Sequence, residues 1–331
     1  MNGTILVTGA TGFIGSYLVR QLVEEGRSVR VFVRRPEALD PRIRNRVEVV
    51  RGDLRDREAL TAAVRDAGTV MHLAACAKAW SPDPLEFRDA NVTAVRWLLD
   101  AARDSGVERL VHVSTCLTRR PDVTGALPGS VTPYENSKVA GERLVEAYAA
   151  EGRHAVIVHP TRVYGPGPLN DANGVTRVMS LYMRGRFRFR IADGDVRANY
   201  VHAGDVARGI RLAAARGSAG AHYMLGGSEN LSFREFLDCV ATVSGRRYHM
   251  AVLPSFVARG AGAGGELWGR LGQPTSLTRA WVDVFLRDLP CDISRTREEL
   301  GYRPRSLIAG LSQTLNWLQR DNRTEEFGVR E

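Results

Sequence analysis

Through the first half of the chain, short runs of Val, Ile and Leu take turns with segments whose apolar residues recur every three or four positions. TILVTG (4–9), SVRVFV (28–33), VEVVRGD (47–53), TVMHLAA (69–75), RLVHVST (109–115) and HAVIVHP (154–160) read as strands. FIGSYLVRQLVEEG (13–26, closed by Gly26), REALTAAVRDAG (57–68), 85–105 and 134–151 read as helices between them. Strands so continuously apolar are covered on both faces, and strand–helix alternation joins them in parallel. The pattern predicts an α/β fold built on a doubly wound parallel sheet, with its ligand at the carboxyl ends of the strands.

Beyond residue 160 the rhythm changes. HPTRVYGPGPLNDANG (159–174) is a loop of Gly, Pro and Asn, and helices are expected near 174–183, 204–215, 232–244, 254–269, 276–287 and 306–320. Residues 1–165 are therefore expected to form the sheet domain, with about 195–225 returning to it. Residues 166–331 supply most of a smaller, mainly helical substrate lobe.

Composition narrows the class. A chain of 331 residues with 44% hydrophobic and 25% charged content is that of a soluble globular protein. No run suits a membrane span and no secretory signal opens the chain, so a cytoplasmic address and no membrane partner are expected. Cys76, Cys116, Cys239 and Cys291 lie far apart without a CxxC spacing, which argues against a metal site and a disulfide framework. The net charge of +9 raises nucleic acid as a partner, but the arginines are spread along the chain, and none is expected. Their densest stretch, MRGRFRFR (183–190), alternates like a strand with one basic face, either a solvated edge or a contact for an anionic group.

TGATGFIG places Gly9, Gly12 and Gly15 between the first strand and the first helix. Glycines permit the tight turn, and the helix N-terminus offers amides and a positive dipole to a pyrophosphate. The second strand ends in Arg34 and Arg35, where an NAD site usually carries an acid for the ribose hydroxyl. Two guanidiniums suit a 2′-phosphate, so NADP(H) is favoured over NAD(H). Residues 1–165 thus become an NADP(H)-binding, Rossmann-type domain. Asp53, ending the third strand, either accepts the adenine amino group or caps the helix that follows.

Only two lysines occur, Lys78 and Lys138, among 46 basic residues, and Lys138 stands four residues after Tyr134. Chance would place about 0.05 such Tyr/Lys pairs in this composition, so the spacing carries information. On a helix the two side chains share a face. A phenol is a poor acid or base near neutrality unless a cation stabilises its phenolate, and a compact ammonium does this while also reaching a ribose hydroxyl. Thr115, with Ser114 beside it, supplies a strand-end hydroxyl for the substrate oxygen.

Together these residues resemble the extended short-chain dehydrogenase/reductase family. The similarity runs through TGATGFIG, GDLRD, HLAA, Asn91 in NVTAVRWLL, VSTC, YENSK, HPTRVYGPG, NYVHAGDVARGI and DISRTREELGYRPR, in the family's order. It implies Thr115 (or Ser114), Tyr134 and Lys138 as the catalytic set around a nicotinamide. It implies further cofactor contacts from Thr11, Phe13, Ile14, Leu54, Leu73, Ala74, Ala75, Pro160, Thr161 and Val163, substrate contacts from Cys116, His159 and Tyr164, and a homodimer built on helices near 85–105 and 136–151.

The family holds ketone reductases, hydroxysteroid dehydrogenases, epimerases and dehydratases. Cys116 and Leu117 follow Thr115 where dehydratases carry an acid and a base, so dehydration is disfavoured. Cys116 is read as packing, not as a nucleophile. Arg197 lies one residue too early for the diphosphate contact of sugar-nucleotide enzymes, and a one-residue slip reverses a strand side chain. NYVH and the C-terminal stretch 256–294, read as a cover for an apolar substrate, look more like dihydroflavonol-reductase and 3β-hydroxysteroid-dehydrogenase relatives. His159 and TRR (118–120) depart from the common pattern, and His159 reads better as an ordinary strand-end residue than as a substrate contact. The expectation is an NADPH-dependent reductase of a small apolar carbonyl compound, or the reverse alcohol dehydrogenase. A nucleotide-sugar epimerase or 4-ketoreductase is the alternative, and a cofactor-sensing regulator a third.

Overall fold

The computed structural model describes residues 3–78, 80–119, 132–192, 196–271 and 278–326. Part of TRR and the segment preceding 278 in the helix expected over 276–287 lie outside the described residues. The chain opens with β1 (Thr4–Thr8), α1 (Phe13–Glu24), β2 (Val29–Val33), α2 (Pro41–Arg44), β3 (Glu48–Arg51), α3 (Arg57–Val64) and β4 (Ala67–His72). The helix expected over 85–105 is three pieces: α4 (Leu85–Arg88), a π-helical turn at Asp89–Thr93, and α5 (Ala94–Asp104). At that widened turn Asn91 is buried, and its amide exchanges hydrogen bonds with the backbone of Cys76, donating to the carbonyl at 3.0 Å and accepting from the amide at 2.9 Å. A polar group inside an otherwise apolar helix face is there because it is satisfied.

β5 (Arg109–Val113), a 3₁₀ turn at Cys116–Thr118, α6 (Pro133–Ala150) and β6 (Ala155–Pro160) follow. Next come β7 (Arg162–Tyr164), α7 (Gly174–Met183), β8 (Phe189–Ala192), β9 (Arg197–His202), α8 (Ala203–Arg216) and β10 (His222–Leu225). β11 (Asn230–Ser232), α9 (Phe233–Ser244), β12 (Ala251–Pro254), α10 (Ser255–Arg270), α11 (Arg279–Phe285), α12 (Ser294–Leu300) and α13 (Leu307–Glu326) complete the chain.

Two compact units result. Residues 1–161, 203–225 and 292–303 form the first, around a seven-stranded sheet ordered β10-β6-β5-β4-β1-β2-β3. Every pairing in it is parallel. The chain runs outward from β1 through β2 to β3, then returns to the other side of β1 as β4. The carboxyl ends of β1 and β4 therefore flank the topological switch point, where α/β sheets hold ligands. One core of this unit lies between the sheet and its helices, with Leu6, Val70, Leu110 and Ile157 packed against Leu98, Leu99 and Val145.

Residues 162–202, 226–291 and 304–331 form the second unit, with small sheets ordered β11-β9-β7 and β12-β8. Its core gathers Tyr164, Met179, Tyr182, Tyr200, Phe236, Leu311 and Leu315, and Tyr200 stacks on Phe236 with ring centroids 4.1 Å apart. The strand expected over MRGRFRFR begins only at Phe189. Gly185, at φ +68°, turns the backbone before it, and Arg188 lies over the ring of Tyr248 at 4.3 Å. Local alternation there reflects a turn with a cation on an aromatic face, not a pleated strand.

Candidate active site

The turn after β1 leaves no room for side chains at two of its glycines. Gly9 has φ +75°, and a Cβ there would lie 2.7 Å from the amide nitrogen of Ala74; one on Gly15 would lie 2.0 Å from the Gly9 carbonyl oxygen. The strand-end loops are locked together: Leu73 donates to the Thr8 carbonyl and Ala74 to the Thr8 hydroxyl, both at 3.2 Å. Gly12 caps α1 without a side-chain acceptor. The first-turn amides and the positive end of a 12-residue helix thus face the switch point uncapped, which fits a pyrophosphate. Thr11 is exposed at this mouth, Ile14 half-buried, and Phe13 buried beneath it. Ala75 continues the half-buried loop of Leu73 and Ala74.

Arg34 and Arg35 stand exposed at the end of β2, and Arg34 lies 3.9 Å from the Asp53 carboxylate. Asp53 accepts from the backbone amide of Arg55 at 2.9 Å and from its Nε at 3.0 Å. That hydrogen-bonded guanidinium, with Arg34 adding its charge, holds the Asp53 carboxyl below the usual range. The cap of α3 is Asp56, which accepts from the Ala59 amide at 3.0 Å, so the capping alternative for Asp53 falls away. Leu54 sits half-buried beside it.

Thr132 caps α6 by accepting from the Glu135 amide at 3.1 Å, and Pro133 supplies a fixed first helical residue. This sets Tyr134 in the first turn. Its phenol neighbours the Thr115 and Cys116 side chains, its ring lies 6.4 Å from that of Phe87, and its backbone carbonyl accepts from Ser137 Oγ at 2.7 Å. Burial raises the phenol pKa, the neighbouring Cys116 adds to the rise, and the Thr115 hydroxyl opposes it.

One turn on, Lys138 is buried, and its ammonium donates to the Val113 carbonyl at 2.9 Å and meets His112 Nε2 at 3.5 Å. Burial lowers its pKa to about 8, while Glu142 pulls the other way. Asn91 pins the same helix: its Nδ2 donates to Ser137 at 2.9 Å, and its carbonyl packs where a Cβ on Gly141 would stand 2.5 Å away. Asn91 is a positioning residue. Its signal in the sequence is a lone amide on an apolar helix face.

The two strand-end hydroxyls part company. Thr115 neighbours Tyr134 while its hydroxyl accepts from the Leu117 amide at 3.3 Å, whereas the Ser114 hydroxyl donates to the buried carboxylate of Glu142. Cys116 begins the 3₁₀ turn beside them, half-buried.

Behind this set lies a histidine-rich layer that the sequence does not announce. Register aligns Thr8, His72, His112, Ile157 and His222 on one rung across five strands. His72 stacks on His112 at 5.4 Å, and His159 on His222 at 5.3 Å. His159 Nδ1 lies 3.1 Å from the Thr115 carbonyl, and its Nε2 3.0 Å from His222 Nδ1. His222 Nε2 reaches Glu146 at 3.2 Å, and the Arg119 guanidinium touches His222 and lies 4.0 Å from Glu142. Glu142, His159 and His222 bring ligand-type atoms within 4.8 Å of one another, with Arg119 supplying the positive charge among them. Burial first, then Arg119, lowers the pKa of His159 to about 3 and of His222 to about 4.

Two of the residues expected at the substrate are buried among protein groups. His159 has no exposed surface, and both ring nitrogens face protein groups, so it supports the Thr115 turn from below. Tyr164 is 1% exposed, packs edge-on against His202 and Phe236, and donates to the Leu307 carbonyl at 3.4 Å: a core residue of the second unit. Pro160 ends β6 in the first unit, and Thr161 follows it, its backbone amide donating to the Leu225 carbonyl at 3.3 Å. Val163 belongs to β7 of the second unit.

Residues 5–226 match the model of the "NAD dependent epimerase/dehydratase family". A 4-hydroxy-2-methyl-3-oxo-4-farnesyl-3,4-dihydroquinoline-1-oxide ketoreductase of Stigmatella aurantiaca is 31% identical, over 90% of this chain and 91% of its own. A putative dihydroflavonol 4-reductase of Synechocystis is 28% identical over 96% and 95%. Among solved structures, the Thermus thermophilus UDP-glucose 4-epimerase complex with NAD superposes with a TM-score of 0.73 at 26% identity, covering 96% of this chain and 99% of that one.

Proposed function

The chain belongs to the NAD-dependent epimerase/dehydratase family, within the extended short-chain dehydrogenase/reductases, and from that premise we propose that it is an NADPH-dependent reductase of an apolar ketone or aldehyde. The reverse reaction, alcohol oxidation, uses the same groups. The observation that carries this reading is the buried ammonium of Lys138, held by the Val113 carbonyl at 2.9 Å, one helical turn from a Tyr134 phenol that neighbours the Thr115 side chain. When bound, a reduced nicotinamide supplies the hydride for the carbonyl carbon. The uncapped α1 terminus would hold its pyrophosphate, Arg34 and Arg35 its 2′-phosphate, and Lys138 a ribose hydroxyl.

The chain's own part is proton handling. Thr115 orients the phenol and the substrate oxygen. Tyr134, kept protonated by its raised pKa, passes its proton to that oxygen as negative charge develops there. Lys138 stabilises the phenolate left behind, and Val113 and His112 hold the ammonium in place. Cys116 borders the phenol and lines the pocket, without acid–base work.

The ketoreductase relative supports carbonyl reduction of a molecule with an apolar tail. An epimerase of the same family is the second reading, favoured by the likeness to the UDP-glucose 4-epimerase. Arg197 weighs against it, since its guanidinium is taken up by the Asn230 carbonyl at 2.9 Å and by Glu235 at 3.7 Å. A cytoplasmic homodimer through α5 and α6 completes the proposal.

The test is a screen of apolar ketones and nucleotide sugars with NADPH and NADH. Stoichiometric NADPH oxidation with an apolar ketone supports the proposal; sugar inversion without net cofactor oxidation supports the epimerase. For cofactor choice, an Arg34→Ala/Arg35→Ala variant is expected to lose NADPH affinity about tenfold or more with NADH affinity kept. Equal loss for both cofactors would remove these arginines from the site.

A further inference from the structure

α10 shows its apolar face to the outside. Ala258, Gly262, Glu266 and Gly269, at helical spacing, are buried, whereas Phe256 is 74% exposed, Leu267 62% and Trp268 58%. At ~100° per residue, Phe256, Val257, Gly260, Ala261, Gly264, Leu267 and Trp268 fill an arc of about 140° that contains no charged side chain. Leu271, just past the helix, extends it at 68% exposure. Seven of the nine large hydrophobic side chains exposed among the described residues fall between 189 and 271, the others of the seven being Phe189 of β8 and Val252 of β12, the two strands that pair beneath the start of α10.

The orientation of this helix is fixed. A Cβ on Gly262 would stand 2.7 Å from the Arg279 amide nitrogen, so α10 meets the start of α11 backbone to backbone. The buried carboxylate of Glu266 accepts from the Arg279 amide at 2.9 Å and from its guanidinium at 2.7 Å, and Arg259 binds Asp283 at 2.9 Å. Turning Trp268 inward would break all of these contacts. The outward apolar stripe is a stable surface feature, of a kind that soluble monomers rarely carry without a partner.

Charge identifies the partner. Residues 184–190 carry four arginines and 246–271 four more, against one carboxylate, Glu266, which is already bound to Arg279. Arg259 and Arg270 both lie along one edge of the apolar arc and are exposed, Arg259 with its guanidinium on the Asp283 carboxylate. A basic margin beside a Trp/Leu/Phe stripe is the chemistry of a helix that lies in a bilayer interface, its aromatic residues at headgroup depth. We propose that α10 and the β8–β12 edge dock the second unit on an anionic lipid surface. No helix among the described residues is long and apolar enough to cross a membrane, so this is contact with one leaflet.

The full chain is tested by co-sedimentation with vesicles of equal parts phosphatidylglycerol and phosphatidylcholine, and with phosphatidylcholine alone. The protein is expected in the pellet with the anionic vesicles, less so as salt is raised, and in the supernatant with the neutral ones. A Leu267→Glu/Trp268→Glu variant is expected to bind the anionic vesicles about tenfold or more weakly, with an unchanged melting temperature and NADPH affinity. Wild-type protein left in the supernatant with both vesicles overturns the proposal, as does a variant that pellets as well as wild type. If light scattering shows that variant falling from a larger assembly to a smaller one, with no lipid binding by wild type, the surface belongs to a second copy of this chain and the lipid proposal is overturned.

Discussion

The buried ammonium of Lys138 donates to the main-chain carbonyl of Val113 at 2.9 Å, tying the helix that carries Tyr134 to the carboxyl end of β5. A planar guanidinium is longer and wider, and cannot take this bond while keeping its charge one turn from the phenol. Lys138→Arg is therefore expected to lower kcat about 100-fold or more, much as Lys138→Met does. Steady-state kinetics on variants of near-native melting temperature checks this, and a fully active arginine variant would remove the lysine from the mechanism.

The same burial sets a pH limit. The pKa of Lys138 is lowered from 10.5 to about 8, so the ammonium is complete below that value and lost as pH rises through it. Carbonyl reduction is expected to decline above about pH 8 with a single ionisation. Between about 8 and 10.5 the unfolded chain holds a proton that the fold has released, so Lys138's own contribution to stability rises with pH there. A decline in rate without a decline in melting temperature is the expected signature.

Ser114 and Thr115 are adjacent in sequence and differ in task. Thr115→Val is expected to lower kcat about tenfold or more with cofactor affinity unchanged. Ser114→Ala is expected to keep kcat within about threefold yet destabilise the fold by about 1–3 kcal/mol, because the buried Glu142 carboxylate loses a hydrogen-bond donor. Chemical denaturation beside kinetics separates the two, and the reverse pattern would exchange the roles.

Acid should open the histidine layer. His72 and His159 titrate near 3 and His222 near 4, all lowered first by burial, while an unfolded histidine titrates near 6.5. Below about pH 6.5 the unfolded chain takes up protons that the fold refuses, so stability is complete above that pH and lost as pH falls. Melting temperature is expected to drop steadily from pH 7 to pH 4, with a shallower slope in His159→Gln. Equal slopes would show that this histidine is not held neutral by the fold.

The sheet and the paired Tyr134 and Lys138 were legible because both rest on short-range spacing: continuous apolar runs for the one, a helical turn for the other. The placing of Thr115 beside Tyr134 was half legible, since neither strand-end hydroxyl shows in sequence which way it turns. Closeness of His159 to His222 depends on the register of β6 against β10, strands separated by more than a helix and a change of unit, and no local pattern encodes it. Tyr164 shows the opposite failure, where a motif residue placed by resemblance in the site lies in a core. On α10 the apolar residues were visible but not their direction, because Gly262 and Glu266 decide which face is buried.

The central claim is that Tyr134 gives the proton in a carbonyl reduction whose product leaves the enzyme. The most direct measurement is single-turnover reaction of wild type and Tyr134→Phe with NADPH deuterated at nicotinamide C4 and the best ketone from the screen, following both oxidised cofactor and label. Wild type is predicted to release one alcohol carrying the deuterium for each NADPH oxidised, and Tyr134→Phe to bind NADPH equally well while reacting about 100-fold or more slowly. A Tyr134→Phe enzyme as fast as wild type, or a wild type that turns over substrate without releasing oxidised cofactor, would contradict it.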